Sequence, residues 1–150
     1  MGQSLNNRFW LLDAILWVGI ASVTGMLVVI ALYLVSYGYD TSHLIPAPLF
    51  PLAATAWEEC DPFRVTVCLL AACSIIGYLR PGLWWLLGPS TTTFFFAFAI
   101  AEMKVSPSSH NLWPIEFVLY LVFIGGPATI GCLFGAFFAA RRRRIKQRVA

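Results

Sequence analysis

The sequence predicts an all-α integral membrane protein: a bundle of four transmembrane helices with both termini cytoplasmic and a proline-rich interfacial loop on the outer side. Three observations carry that prediction. Ala14 to Ser36 runs 23 residues without a charge, longer than the roughly 20 an α-helix needs to cross a hydrocarbon core about 30 Å thick. Three further apolar stretches follow, Val65 to Leu79, Leu83 to Ala101 and Phe117 to Ala140, and the last of them closes on the basic run 141–148. Composition agrees, since 59% hydrophobic and 11% charged, with a mean hydropathy of +0.77, lie far from the half-apolar, quarter-charged balance of soluble domains. With most of 150 residues in spans, one membrane domain covering 1–150 is expected.

Charge predicts the threading. Four spans put both termini on one side. If that side is cytoplasmic, Arg8, Arg80, Arg141 to Arg144, Lys146 and Arg148 are inside and only Arg64 and Lys104 outside. Basic residues in short loops resist translocation, so a bias of eight to two sets the orientation. Asp40, Glu58, Glu59, Asp61, Glu102 and Glu116 fall at the outer side, and Asp13 alone near the inner one. Trp10, Trp17, Trp84 and Trp85 cluster at the inner boundary, Trp57 and Trp113 at the outer, the levels an amphipathic ring prefers. The expected residence is the plasma membrane or a bacterial inner membrane.

The first span, about 11–37, exceeds the apolar region of a cleaved signal and lacks a convincing cleavage site, so it reads as a retained helix. Asp13 sits about one turn from its inner end. A carboxylate there is a candidate for proton or cation transport, set against a helix N-terminus that favours negative charge. The segment 37–61 follows with Pro46, Pro48 and Pro51. Prolines fix the backbone and remove donors, so Leu44 to Phe50 is expected to be extended or turn-like and Leu52 to Trp57 a short helix. Its apolar character places it on the outer interface, with a re-entrant excursion as the alternative.

The second span, 62–80, opens on Asp61-Pro62, a capping carboxylate and a proline at the first helical position. Pro81-Gly82 then turns the chain into the third span, 83–103. Gly88-Pro89 interrupts that span, and Thr91, Thr92 and Thr93 follow. Their hydroxyls either satisfy carbonyls freed by the proline or line a transport path. The fourth span, 114–140, starts at Pro114 with Glu116 in its first turn, carries the bend signal Gly125-Gly126-Pro127, and ends in the basic tail 141–150. Gly131, Gly135 and Ala139 recur every four residues, so one face of that helix admits a close neighbour, within the chain or in a second copy. Ala21 and Gly25, and Thr93, Ala97 and Ala101, repeat the spacing.

Candidate chemistry concentrates on the outer face. His43 and His110, the two histidines, fall there with Glu58, Glu59, Asp61, Glu102 and Glu116. Helix capping explains such residues at helix entrances; convergence on a divalent cation, a haem or a polar headgroup is the sharper reading. The sequence names no cofactor. Cys60, Cys68, Cys73 and Cys132 form no C-x-x-C or Cys/His ligand spacing. No G-x-S-x-G, H-E-x-x-H or P-loop pattern occurs, and the sequence favours no enzyme. A noncatalytic accessory or scaffold subunit, as a homo-oligomer or in a larger membrane complex, is the leading expectation. A small oligomeric transporter or channel is the alternative, and a protein with an outer metal or haem site the third. The lipid bilayer is the expected partner, with anionic lipid at the basic tail and no nucleic acid.

Overall fold

The computed structural model describes residues 2–38, 44, 49–105 and 113–149. These form α1 (Gly2–Tyr37), α2 (Pro51–Glu59), α3 (Pro62–Leu79), α4 (Trp84–Ser90), α5 (Thr93–Val105), α6 (Trp113–Tyr120), a single π-helical turn (Leu121–Gly125) and α7 (Gly126–Val149). No strand occurs among the described residues. Four helical stretches are long and apolar enough to cross a membrane: Trp10–Tyr37, Pro62–Leu79, Trp84–Val105 and Pro114–Gln147.

The contacts define the directions. Asp13 of α1 meets Arg80 just past α3, and Ser36 meets Arg64, so α1 and α3 run oppositely. Gly131 of α7 approaches Leu70 and Cys73 of α3, and Gly135 approaches Ser74 and Tyr78; the numbers climb together, so α3 and α7 run parallel. The chain therefore goes up, down, up and down, with α2 lying across one end. Asp13, Arg80 and the basic tail share one end, here the basic end; α2, Asp61 and Glu102 share the other, the acidic end.

Two apolar clusters fill the interior. Nearer the acidic end, Val29, Tyr33, Ala56, Leu69, Phe95, Tyr120 and Ile124 pack around aromatic rings. Nearer the basic end, Ala14, Ala21, Cys73, Ile76, Leu87, Ala128 and Cys132 form a cluster of smaller side chains. Between them lie the buried Ser22, Ser90, Thr91 and Thr92.

Both later spans break at that level. Pro89 cannot donate to the carbonyl a turn back, and the helix tightens: the Thr91 N–H donates to Gly88 O at 3.2 Å and the Thr92 N–H to Pro89 O at 3.1 Å before α5 begins. In the fourth span, Pro127 likewise lacks a donor, and the turn ahead of it widens so that the Gly126 N–H reaches Leu121 O.

The basic tail is not a separate segment. Residues 141–149 continue α7, because Arg, Lys and Gln are good helix formers and cations at a helix C-terminus complement its dipole.

Candidate functional site

At the acidic end, α2 is held by a carboxylate from α5. Pro51 starts α2, and the two N–H groups just ahead of it, of Leu49 and Phe50, both donate to Glu102 Oε1 at 3.0 Å. Glu102 is 1% exposed. Its Oε2 has no hydrogen-bond partner among the described residues. The sequence places Glu102 among the outer carboxylates grouped with the two histidines, and gives no sign that it holds α2. The available signal was its place in an otherwise apolar run, Thr93 to Met103, where an ionisable residue marks a specific task.

Trp57 fastens the other side of α2. Its ring meets Tyr120 edge-on at 4.8 Å and Phe95 at 5.8 Å. Beside it, Trp57, Glu58, Cys60, Pro62, Val65, Leu119 and Phe123 line a cavity of about 340 Å³ with mainly apolar walls. A smaller, more polar cavity of about 190 Å³ lies between Leu32, Ser36, Tyr37, Glu59, Cys60, Asp61 and Arg64. Cys60 borders both. Its thiol donates to Val29 O at 3.3 Å. Burial pushes the thiol above its ordinary pKa, the negative charge of Asp61 adds to the rise, and a backbone hydrogen bond at Tyr33 opposes both.

The candidate outer carboxylates have separate placements. Asp61 caps α3, with Oδ1 accepting from the Phe63 N–H at 2.9 Å and Oδ2 at 3.6 Å from Arg64 Nε. Glu58 and Glu59 are exposed at the end of α2, and Glu116 is half-buried in the first turn of α6. His43 and His110 lie outside the described residues. Among the described residues no three of His, Cys, Asp and Glu stand close enough to hold a metal ion.

The candidate transport residues all have identified partners or positions. Asp13 Oδ1 accepts from Arg80 Nη2 at 2.6 Å, and the same guanidinium lies 5.3 Å from the centroid of Trp17. Thr91 and Thr92 are buried and donate to Gly88 O and Pro89 O, each at 2.7 Å. Thr93 is exposed. The Ser22 hydroxyl of α1 stands 2.8 Å from both Val18 O in its own helix and Ser90 O across the interface, its single proton shared between the two carbonyls. That second bond, missed in the sequence, ties the first span to the break in the third.

The packing residues meet α3. A Cβ on Gly131 would stand 2.6 Å from Leu70 O, and one on Gly135 would run into the Ser74 carbonyl. Ala139 is buried further along α7. Gly25 and Gly77, each equally intolerant of a Cβ, sit against Thr91 and Cys132.

The chain matches no protein-family model, no curated protein and no solved structure.

Proposed function

We propose that the chain is a small integral membrane protein acting as a noncatalytic accessory or scaffold subunit of a larger membrane assembly, threaded with both termini cytoplasmic. One observation carries this reading: hydroxyls buried in the spans, those of Ser22, Thr91 and Thr92, donate to the bundle's own backbone carbonyls, while large apolar side chains face outward. Ile130, Leu133, Phe134, Phe137 and Phe138 form such an exposed face on α7, suited to lipid or a neighbouring apolar helix. The orientation is supported by the arginines gathered at the basic end and the carboxylates at the other.

A transporter is the second reading, favoured by the two helix breaks at one level, since discontinuous helices near a membrane midplane commonly mark transport sites.

Extraction from native membrane in mild detergent tests the choice. The accessory reading expects a partner at fixed stoichiometry, lost when Phe134 and Phe137 are both replaced by alanine while the helix content of the chain is kept. A chain recovered alone that conducts solute in liposomes would replace this reading with the second. Topology is read separately in a cysteine-free background: Glu58→Cys should react with an impermeant maleimide on intact cells and Arg144→Cys should not. The opposite pattern would reverse the threading.

A further inference from the structure

α7 continues as a helix beyond the point where its sequence stops being apolar. Gly131, Gly135, Ala139, Arg142 and Lys146 succeed one another at intervals of three or four, the spacing of one helix face. The first two press against α3, but α3 ends at Leu79. The face that forms the seam therefore emerges beyond its neighbour carrying basic side chains. In the last turn of α3, the Tyr78 hydroxyl accepts from Arg142 Nη1. Next to this bond lies a pocket of about 240 Å³ lined by Tyr78, Ala139, Arg142, Arg143 and Lys146. It has three cations and no carboxylate. Asp13, the acidic group at this end among the described residues, is already paired with Arg80.

We propose that this pocket binds the phosphate of an anionic phospholipid headgroup. Guanidinium and ammonium groups together suit a phosphate, the first by forked donation and the second as a point charge. Tyr78 adds a directional element. An Arg142 N–H occupies a lone pair on its oxygen, and no described residue accepts its own proton, so the hydroxyl can donate outward to a phosphate oxygen. The depth fits a lipid: buried Ala139 belongs to the last apolar turn and Arg141 begins the charged one, so the pocket opens at the boundary between hydrocarbon and headgroups. A free phosphate shares the charge but has no acyl chain to hold it there.

This proposal rests on the spans lying in a bilayer but not on which way they are threaded, so reversed labelling in cells would leave it standing. The test uses the full chain in a zwitterionic detergent, with calorimetric titration of short-chain phosphatidylglycerol, short-chain phosphatidylcholine and inorganic phosphate. Phosphatidylglycerol is expected to bind at least about tenfold more tightly than either of the others, given about fivefold per basic contact near a membrane surface. Two charge-matched double variants separate a pocket from a diffuse field. Arg142→Gln with Lys146→Gln should weaken binding roughly 20-fold, and Arg141→Gln with Arg144→Gln, which lie outside the pocket, by only a few-fold. Tyr78→Phe, which keeps the ring, should weaken it by about threefold. Equal losses in the two doubles, or inorganic phosphate binding as tightly as phosphatidylglycerol, would overturn the assignment.

Discussion

Gly135→Ala is a one-carbon test of the seam between α3 and α7. A Cβ at this position would stand 2.6 Å from the Tyr78 backbone nitrogen and 2.9 Å from the Ser74 carbonyl carbon, with the Ser74 oxygen nearer still. Ordinary contacts of a Cβ lie at 3.4–4 Å. The atoms in the way are backbone and cannot swing aside as a side chain would. The two helices must therefore part by about 1 Å, and a gap of that size forfeits roughly a quarter to a half of the dispersion energy along the surfaces that separate. Overpacking of a close-packed interior costs about 1–3 kcal/mol, and the alanine variant belongs at the upper end because its relief requires whole-helix movement. Gly135→Leu should prevent assembly of the bundle.

Two controls isolate the cause. Gly19 is also inside a helix, yet nothing lies within 4 Å of a Cβ placed there, so Gly19→Ala should stabilise the helix by about 0.5–1 kcal/mol. Phe137 is 58% exposed on the opposite side of α7, so Phe137→Leu should change stability by less than about 0.5 kcal/mol. Unfolding in mixed micelles with increasing dodecyl sulfate, followed by circular dichroism, reports all four variants. If Gly135→Ala unfolds no earlier than Gly19→Ala, the close approach of α3 and α7 is refuted.

Further outcomes follow from individual bonds. Ser22→Ala removes the hydrogen bond to Ser90 O and should cost about 0.6 kcal/mol, the average for such bonds between membrane helices, whereas Thr24→Ala, whose hydroxyl bonds to Ile20 O within its own helix, should be nearer neutral in the same unfolding assay. Cys60 has a raised pKa from burial first and Asp61 second, so its alkylation should set in at higher pH than that of a free thiol, and Asp61→Asn should move the onset back down. Because the folded thiol holds its proton more tightly than the unfolded one, its contribution to stability is complete below the unfolded pKa, about 8.5, and is lost as pH rises through the folded value; stability independent of pH across that window in wild type, against a Cys60→Ser reference, would contradict this. The Asp13–Arg80 pair is 32% and 45% exposed at its two side chains, so solvent screening holds its worth to about 1 kcal/mol or less. Arg80→Gln should lose that amount and the exchange Asp13→Arg with Arg80→Asp should recover part of it, while full recovery by Arg80→Leu would assign the effect to packing on Trp17 instead.

Features with a local cause were legible in the sequence. The length of Ala14 to Ser36 gave the first helix its span, Asp61-Pro62 marked the start of α3, and Gly88-Pro89 and Gly125-Gly126-Pro127 marked the two interruptions, because capping groups and missing donors act within a turn of themselves. Features that depend on which helix lies beside which were not. Glu102 holds the entrance of α2 across more than fifty residues of chain, and Asp13 finds Arg80 across 67; no periodicity encodes either partner. Gly131 and Gly135 could be assigned to a close-packed face, but the small-residue spacing does not name the helix that fills it, and here it is α3. The helical continuation of the basic run was not visible in hydropathy, which falls at Arg141, whereas the helix-forming tendency of the chain persists through Val149.

The two interruptions solve one problem jointly. A proline within a helix leaves a carbonyl without its donor, and a break frees others, here among buried residues where an unpaired polar group is costly. Each break here is followed by a threonine whose hydroxyl donates to a carbonyl of its own break: Thr92 to Pro89 O at 2.7 Å and Thr129 to Gly125 O at 2.6 Å. Each of those threonines then lies against a glycine of the other break, Thr92 against Gly125 with its methyl carbon 3.1 Å from a Cβ there, and Thr129 against Gly88. The two glycines receive different atoms, Gly125 the Thr92 methyl and Gly88 the Thr129 backbone and hydroxyl oxygen, so that a Cβ on Gly125 would crowd Thr92 and one on Gly88 would run into Thr129. Satisfaction of the broken backbone and docking of the two spans are thus one event, which accounts for the breaks meeting at a common level between the two apolar clusters.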